Sequence, residues 1–292
     1  MKQLFHADIL LDDFTVLKDG YLGIDGDTIS YIGREKPEGY EAARTLARHL
    51  LIPGLYNMHT HSPMGLMRGI GSDLPLDRWL HEAVFPLEAQ LTDDDISAGA
   101  RLAMLEMLAS GVVSFSDMYD KMHVIAQKVL GAGMKANLVR PAMVISPDTS
   151  SAALDARLRE AITFYEDWHG AADGLICVDF SIHAEYTTSA ELVRKYGEAC
   201  RERGAVMHLH LSETRKEHEE CKTRHGKTPT QWFHDLGIFE SPTIAAHCVM
   251  VEPADMEIMR AKGVTAVHNP TSNMKLASGF MTPRWRSSED QV

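Results

Sequence analysis

From residue 51 onward, the chain repeats one pattern in which an apolar, strand-like segment is followed by a helix-like segment. Strands that alternate with helices lie parallel to one another in a single sheet, so this pattern restricts the fold to the α/β class. Its natural closure is a (β/α)8 barrel of the TIM type, whose functional site lies at the carboxyl ends of the strands. Seven strand-like segments can be counted, at residues 50–55, 112–117, 136–140, 176–183, 206–211, 243–247 and 264–268.

The two ends of the chain do not follow this pattern. Residues 21–24 and 28–32 are strand-like and flank Asp25-Gly26-Asp27, a turn signal typical of a β-hairpin. The tail contains no eighth strand-like segment, so we expect a barrel that lacks its eighth strand and a chain that is truncated at its C-terminus. The expected regions are a small β-domain (an incomplete β-sandwich) at 1–50, an incomplete barrel at 51–279 and an aberrant or irregular tail at 280–292.

The composition argues against several classes of partner. The 292 residues are 45% hydrophobic, which suffices for a barrel and a small extra domain. The net charge of -12 and the absence of a basic patch argue against binding to nucleic acid or to an anionic membrane surface. No apolar run has the length of a membrane span, and the N-terminus has no signal-peptide pattern. The four cysteines form no Cys-x-x-Cys motif, so we expect a cytoplasmic protein with reduced thiols, and a homo-oligomer stays open.

The stretch Met58-His59-Thr60-His61 follows the first apolar strand of the repeating region. Alternate residues of a strand point the same way, so His59 and His61 project side by side from its carboxyl end. Two neutral imidazoles in that arrangement can share one divalent metal ion. A His-x-His motif alone is weak, because two polar residues that close a strand would look the same.

Three further strands end in histidine, namely those that carry His183, His210 and His247. In a barrel, the carboxyl ends of the strands converge on one mouth. A single histidine in a strand is usually a hydrogen-bonded structural residue, but four strands that end this way favour a common site. His208 shares the face of His210 one layer deeper, so we interpret it as a supporting or core residue and not as a ligand.

Glu213 lies three residues after His210, where the strand passes into a loop. A carboxylate beside a metal-bound water can take its proton and pass it on. The alternative is a surface glutamate that caps the next helix, for which Ser212 and Glu213 are both suitable residue types.

Four segments of the chain resemble the amidohydrolase superfamily, and within it the branch of 5'-methylthioadenosine/S-adenosylhomocysteine deaminases and related metal-dependent aminohydrolases. They occur in the family's order and on the expected strands. The segments are Pro53-Gly54-Leu55-Tyr56-Asn57-Met58-His59-Thr60-His61, His210-Leu211-Ser212-Glu213-Thr214, Ala246-His247-Cys248 and His268-Asn269-Pro270-Thr271-Ser272-Asn273-Met274-Lys275-Leu276.

This resemblance implies that His59, His61 and His210 bind one divalent metal ion, Zn2+ or alternatively Fe2+. It implies that Glu213 moves a proton between water and the ring nitrogen of the substrate, and that His247 orients or helps to activate the hydroxide. Binuclear relatives use a lysine on the fourth strand, and this strand ends in His183 with no lysine nearby, so one metal ion is expected.

The resemblance also implies contacts with a small-molecule nucleoside or nucleobase. Glu88 is expected on ribose hydroxyls, and Trp79, Arg140 and His183 are the other expected contacts. Arg140 would equally fit a structural ion pair at its strand end.

The implied reaction is the hydrolytic deamination of an adenosine-type nucleoside (S-adenosylhomocysteine, 5'-methylthioadenosine or similar) by zinc-activated water. A guanine-deaminase-like or triazine-hydrolase-like enzyme and an inactive truncated fragment are the alternatives. The family's last metal ligand is an aspartate at the end of the eighth strand. Asp290 has no strand before it and is not assigned this role.

Overall fold

A computed structural model describes residues 2–144 and 150–281 of the chain. They divide into two compact units, Met1–Leu55 and Tyr56–Val292. Most of the irregular tail expected at 280–292, including Asp290, lies outside the described residues. No helix in the described part of the chain is both long enough and apolar enough to cross a membrane.

The first unit contains one four-stranded sheet with the strand order β3-β2-β1-β4. The β2–β3 hairpin turns at Gly26, whose φ of 64° is favourable for glycine, and Asp25 pairs with Thr28 across the turn. A separate small N-terminal β-structure, as the sequence predicts, is therefore confirmed. Its strands are β1 (Lys2–Leu10), β2 (Val16–Asp25), β3 (Thr28–Gly33) and β4 (Ala43–Leu51).

The second unit is built on a seven-stranded sheet that forms a nearly closed parallel barrel, as the sequence predicts. The strands neighbour one another in chain order, which short strand–helix–strand connections favour. They are β5 (Leu55–Thr60), β6 (Val112–Met118), β7 (Lys135–Ala142), β8 (Ile176–Ile182), β9 (Met207–Leu211), β10 (Thr243–His247) and β11 (Thr265–Val267).

The first barrel strand does not lie where the sequence predicts it. The apolar run 50–55 is divided between the end of β4 and the start of β5. Pro53 and Gly54 separate the two strands, because proline cannot donate to a strand ladder and glycine weakens one. Leu50 and Ile52 are 48% and 54% exposed, so the prediction of a single apolar barrel strand over this run was wrong.

Helices cover the barrel strands and begin at recognisable caps. Thr92 accepts a hydrogen bond from the backbone of Asp95, whose side chain accepts one from the backbone of Thr92. The α-helices are α1 (Leu76–Arg78), α2 (Phe85–Glu88), α3 (Asp93–Ala109), α4 (Met122–Ala132), α5 (Ser151–Trp168), α6 (Ala171–Gly174), α7 (Ala190–Glu202), α8 (Arg215–His225), α9 (Pro229–Asp235), α10 (Pro253–Lys262) and α11 (Pro270–Lys275). A π-helical segment, Trp79–Val84, joins α1 to α2, and 3-10 turns occur at Ser62–Met67, Glu185–Thr187 and Ile238–Glu240.

The core lies between the barrel strands and the helices that surround them. One cluster of buried side chains joins β8 and β9 to α7, through residues such as Phe180, Leu209 and Tyr196. A second cluster joins β6 and β7 to α3 and α4, through residues such as Phe115 and Met104. These strands are buried along most of their length, as is typical of parallel strands in an α/β fold.

The barrel has an open side between β5 and β11, the two edge strands of the sheet. No strand among residues 2–144 and 150–281 joins these two edges. Apolar side chains are exposed on β5 and α3, including Tyr56 at 66% and Leu105 at 65%. A cleft of about 330 Å³ is lined by β5, by α3, by the start of β6 and by His61 and Ser62.

Candidate active site

The histidines predicted for the site converge at the carboxyl ends of the barrel strands. One ring nitrogen each of His59, His210 and His247 lies within 4.8 Å of the others, and all three side chains are buried. Nε2 of His61 is 3.3 Å from Nε2 of His210. The ring centroid of His183 is 4.8 Å from that of His210. The structure thus brings together all five histidines to which the sequence assigned roles.

The end of β10 turns sharply to place His247. Its φ is 73° and that of Cys248 is 49°, in the left-handed region that side chains rarely occupy. Such a conformation persists only where the surroundings hold it. Here the backbone N–H of Cys248 donates to the carbonyl of Leu211 at 3.0 Å, and the N–H of His247 donates to Oδ1 of Asn269 at 3.2 Å. These bonds tie the end of β10 to β9 and to the segment before α11.

Backbone carbonyls fix the tautomers of two predicted ligands. Nδ1 of His61 is 2.6 Å from the carbonyl oxygen of Met118, and Nδ1 of His210 is 2.7 Å from that of His183. A carbonyl oxygen can only accept, so both Nδ1 atoms carry the proton and both Nε2 atoms keep a lone pair. Metal-binding histidines in proteins are held in this way.

The other histidines are oriented by side chains. Nδ1 of His247 is 2.8 Å from Oδ1 of Asn273, and Nδ1 of His183 is 3.0 Å from Oγ1 of Thr187. Nδ1 of His59 is 3.0 Å from Nε2 of His208, which is fully buried. The sequence-based interpretation of His208 as a supporting residue agrees with this geometry.

Burial keeps this cluster uncharged. It is the main cause that lowers the pKa of His59 and His210 well below the ordinary histidine value, with repulsion from neighbouring imidazoles second. It also lowers the pKa of His183 to about 3 and that of His247 to about 4. Neutral imidazole is the form that binds a metal ion. The set of donors therefore suits a borderline-soft divalent ion such as Zn2+.

Glu213 lies beside this cluster and not on the surface. Its side chain is buried, and Oε1 is 3.5 Å from Nδ1 of His247. Burial, followed by repulsion from Glu217, raises the pKa of Glu213 to about 8. The carboxyl group is thus placed and tuned to gain and lose a proton near neutral pH.

The cap of the helix that follows is formed by other residues. Thr214 is the N-cap of α8, and Glu217 completes the capping box. The carboxylate of Glu217 also accepts hydrogen bonds from the backbone N–H of Ser212 at 3.0 Å and of Glu213 at 2.7 Å. The side chain of Glu213 is therefore not occupied by capping.

The predicted substrate residues lie in mixed environments. The indole of Trp79 donates to the carbonyl of Ile70 at 3.0 Å. Glu88 accepts a hydrogen bond from Tyr119, and burial raises its pKa above the ordinary value. Its contact with a substrate stays a prediction, as does that of Trp79.

Arg140 is engaged by acidic side chains. Its guanidinium pairs with Asp120, with Nη2 3.0 Å from Oδ1, and with Glu160. The structure thus supports the ion pair that the sequence left open for Arg140. Its contact with a substrate stays a prediction.

Sequence reasoning missed several residues that hold the site together. Asn269 and Asn273 belong to a segment that was recognised, but no role was assigned to either of them. Asp117 is completely buried and accepts hydrogen bonds from the backbone N–H, at 2.8 Å, and from the hydroxyl of Ser62. Ser62 follows His61 directly, so this contact anchors the loop after β5. A buried aspartate at a strand end was the only signal for it in the sequence.

Comparisons with known proteins place these features in context. Residues 50–290 match the amidohydrolase family. The chain is 40% identical over 259 residues to the 5-methylthioadenosine/S-adenosylhomocysteine deaminase of Thermoanaerobacter pseudethanolicus, covering 88% of this chain and 59% of that protein. It is 38% identical to the 5'-deoxyadenosine deaminase of Methanosarcina mazei, covering 94% of this chain and 65% of that protein.

Solved structures give the same fold. An adenosine deaminase from Xanthomonas campestris with bound zinc superposes with a TM-score of 0.81 at 27% identity, covering 95% of this chain and 64% of that one. A guanine deaminase from C. acetobutylicum superposes with a TM-score of 0.82 at 23% identity, covering 96% and 70%. The chain thus spans between 59% and 70% of the length of these proteins.

Proposed function

Because the chain belongs to the amidohydrolase family, we propose that it is a metal-dependent aminohydrolase that deaminates an adenosine-type nucleoside. S-adenosylhomocysteine, 5'-methylthioadenosine or a similar compound would be the substrate, as the names of the relatives suggest. The observation that carries the proposal is the convergence of the buried histidine cluster with the buried carboxyl group of Glu213. Water would replace the amino group of the purine ring, and ammonia would leave.

A single divalent ion, Zn2+ or alternatively Fe2+, would be held by His59, His61 and His210. The Nε2 lone pairs of His61 and His210 support this assignment, because both Nδ1 protons are used in bonds to carbonyl groups. When bound, the ion would supply a Lewis acid that makes water in the site more acidic. His247 lies beside these ligands, and its Nε2 atom is left free by the bond from Nδ1 to Asn273.

Glu213 would move the proton that the reaction requires. Its raised pKa allows the carboxyl group to donate a proton to a ring nitrogen and then to accept one from water. His247 would accept a hydrogen bond from the attacking water and so orient it. Trp79, Glu88, Arg140 and His183 would contact the nucleoside, with Glu88 on the ribose hydroxyls.

One observation favours a second candidate, a protein with a weak metal site and no turnover. Among the described residues, the cluster of candidate ligands contains histidines only. Without a carboxylate ligand, the ion would carry more uncompensated charge and would be bound less tightly. A guanine-deaminase-like or triazine-hydrolase-like activity is a third candidate, because structural neighbours bear those names.

The test is ammonia release from S-adenosylhomocysteine, 5'-methylthioadenosine, guanine and a triazine by the zinc-loaded protein. Wild type is expected to act on the nucleosides, and E213Q to lose about 10²- to 10⁴-fold in kcat with unchanged zinc content. E219Q, which changes an exposed glutamate of α8, is the matched control. Full activity of E213Q would refute the role of Glu213, and turnover of guanine or the triazine alone would favour the third candidate.

A further inference from the structure

A chain of buried hydrogen bonds runs from the candidate metal site into the interior of the barrel. Nδ1 of His59 is 3.0 Å from Nε2 of His208, and Nδ1 of His208 is 3.1 Å from Oγ of Ser116. Nδ2 of Asn137 donates to the same Oγ at 3.4 Å. These residues come from four strands, β5, β9, β6 and β7. His208 and Ser116 are 0% and 2% exposed, so water does not replace these contacts.

The hydrogen bonds in this series can point in either of two directions, because a neutral imidazole has one donor and one acceptor nitrogen. In the first direction, His59 donates from Nδ1 to Nε2 of His208, and His208 donates from Nδ1 to Ser116. The Nε2 atom of His59 then keeps its lone pair. In the second direction, Ser116 donates to His208, and His208 donates to His59. The Nε2 atom of His59 then carries the proton and cannot bind a metal ion.

His59 differs in this respect from the other two predicted ligands. The Nδ1 atoms of His61 and His210 face carbonyl oxygens, which can only accept. Their tautomers are therefore fixed by the backbone. The tautomer of His59 depends instead on the side chain of His208, whose nitrogen can either donate or accept a hydrogen bond.

We propose that His208 is a positioning residue that selects the Nδ1-protonated tautomer of His59 and so presents its Nε2 atom to the metal ion. This inference rests on the proposed metal site. His208 acts through His59 and does not touch the ion. Binding of the ion requires the first direction, in which His59 donates to His208. Loss of the acceptor at His208 therefore makes the Nδ1-protonated tautomer of His59 less favourable.

Two amide substitutions at position 208 distinguish acceptance of the hydrogen bond from His59 from packing of the buried side chain alone. In H208Q, the amide oxygen reaches the position of Nε2 and can still accept from His59. In H208N, the shorter side chain reaches the position of Nδ1, so it contacts Ser116 and not His59. Both variants place a polar group in the same buried site. H218L, which removes a buried histidine of α8 outside the cluster, controls for a general loss of stability.

The readouts are zinc affinity by chelator competition, the unfolding midpoint of the metal-free proteins, and the ¹⁵N spectrum of labelled histidine in the zinc-loaded proteins. H208N is expected to bind zinc about 10- to 100-fold more weakly than wild type, as for loss of other partners of metal-binding histidines. H208Q is expected to retain most of the affinity. H218L is expected to lower the unfolding midpoint and to leave zinc affinity unchanged. The spectrum of wild type should show Nδ1 of His59 protonated.

Equal zinc affinity in H208N and wild type, or equal losses in H208N and H208Q, would overturn the inference. An Nε2-protonated His59 in the zinc-loaded protein would do so as well. A wild-type chain that binds no zinc would overturn the proposed metal site and this inference with it. The two failures are distinguishable, because the first leaves zinc binding by wild type intact.

Discussion

At the scale of single residues, burial determines the chemistry of the site. It raises the pKa of Glu213 to about 8, and it lowers the pKa of His247 to about 4. The same neighbourhood therefore holds an acid that keeps its proton near neutral pH and bases that have lost theirs. Pairs of groups whose environments push their pKa values apart are typical of acid–base catalysis.

The first prediction concerns the pH dependence of stability in the metal-free protein. The pKa of Glu213 is higher in the folded state than in the unfolded state, so the folded protein binds more protons between these two values. Stability should fall as pH rises toward about 8, with Glu213 contributing up to about 1.4 kcal/mol per pH unit. The buried histidines act in the opposite direction but only below their unfolded pKa, near 6.5. The slope of unfolding free energy between pH 6.5 and 8 should therefore be smaller in E213Q.

Urea unfolding at several pH values measures this slope. E219Q should match wild type, since its carboxyl group is exposed. Identical slopes in wild type and E213Q would contradict the assigned environment of Glu213.

The second prediction concerns substrate choice. If Glu88 binds ribose hydroxyls, E88A should reduce nucleoside turnover by roughly 10- to 100-fold, the loss expected for a hydrogen bond to a charged group. Turnover of the free base should change little, because it lacks the ribose. E82A, which alters an exposed glutamate of the same stretch, is the control. Equal losses on nucleoside and base would indicate a base deaminase.

At the scale of helices and strands, the contact between α3 and the loop after β5 holds in place the segment that follows His61. A Cβ atom on Gly99 of α3 would lie 2.6 Å from the carbonyl oxygen of Pro63. Pro63 lies two residues after His61, so α3 packs directly on the segment that follows a predicted ligand. Only glycine permits this approach.

The third prediction follows from this contact. G99A should destabilise the protein by about 1–3 kcal/mol and weaken zinc binding, because the backbone of the loop must move. G131A in α4 is the matched control, since a Cβ there meets nothing within 4 Å. Alanine at an open helical position should stabilise by about 0.5–1 kcal/mol. Chemical denaturation and chelator competition measure both quantities, and a stabilised G99A with normal zinc affinity would refute this prediction.

The sequence predicted the strands well where both faces are buried. The segments 112–117 and 243–247 match β6 and β10 closely, because each begins with β-branched residues directly after a chain breaker, Gly111 or Pro242. The prediction of one strand over the run 50–55 was wrong, because its apolar residues belong to two strands separated by Pro53. The contacts of Ser62 with Asp117 and of His59 with His208 were beyond prediction. They join residues that are 55 and 149 positions apart, and no local pattern records such pairs.

At the scale of the whole molecule, the open side between β5 and β11 is the main departure from a closed barrel. Edge strands present unpaired backbone groups, and long apolar edges favour association between chains. Tyr56 of β5 and Leu105 of α3 are exposed apolar side chains. The cleft between β5 and α3 reaches His61, so it borders the candidate metal site.

The fourth prediction is that copies of the chain associate through the apolar side chains exposed on β5 and α3. L105K should reduce association, measured by light scattering after size exclusion, whereas F14K on the N-terminal unit should not. A monodisperse wild-type protein would contradict this prediction.

The central claim is a single metal site built from His59, His61 and His210. Elemental analysis of the purified protein tests it most directly, with wild type compared with H61A and with H49A, which changes an exposed histidine of β4. We expect one divalent ion per chain in wild type and in H49A, and loss of most of it in H61A. A full equivalent of metal in H61A would contradict the account.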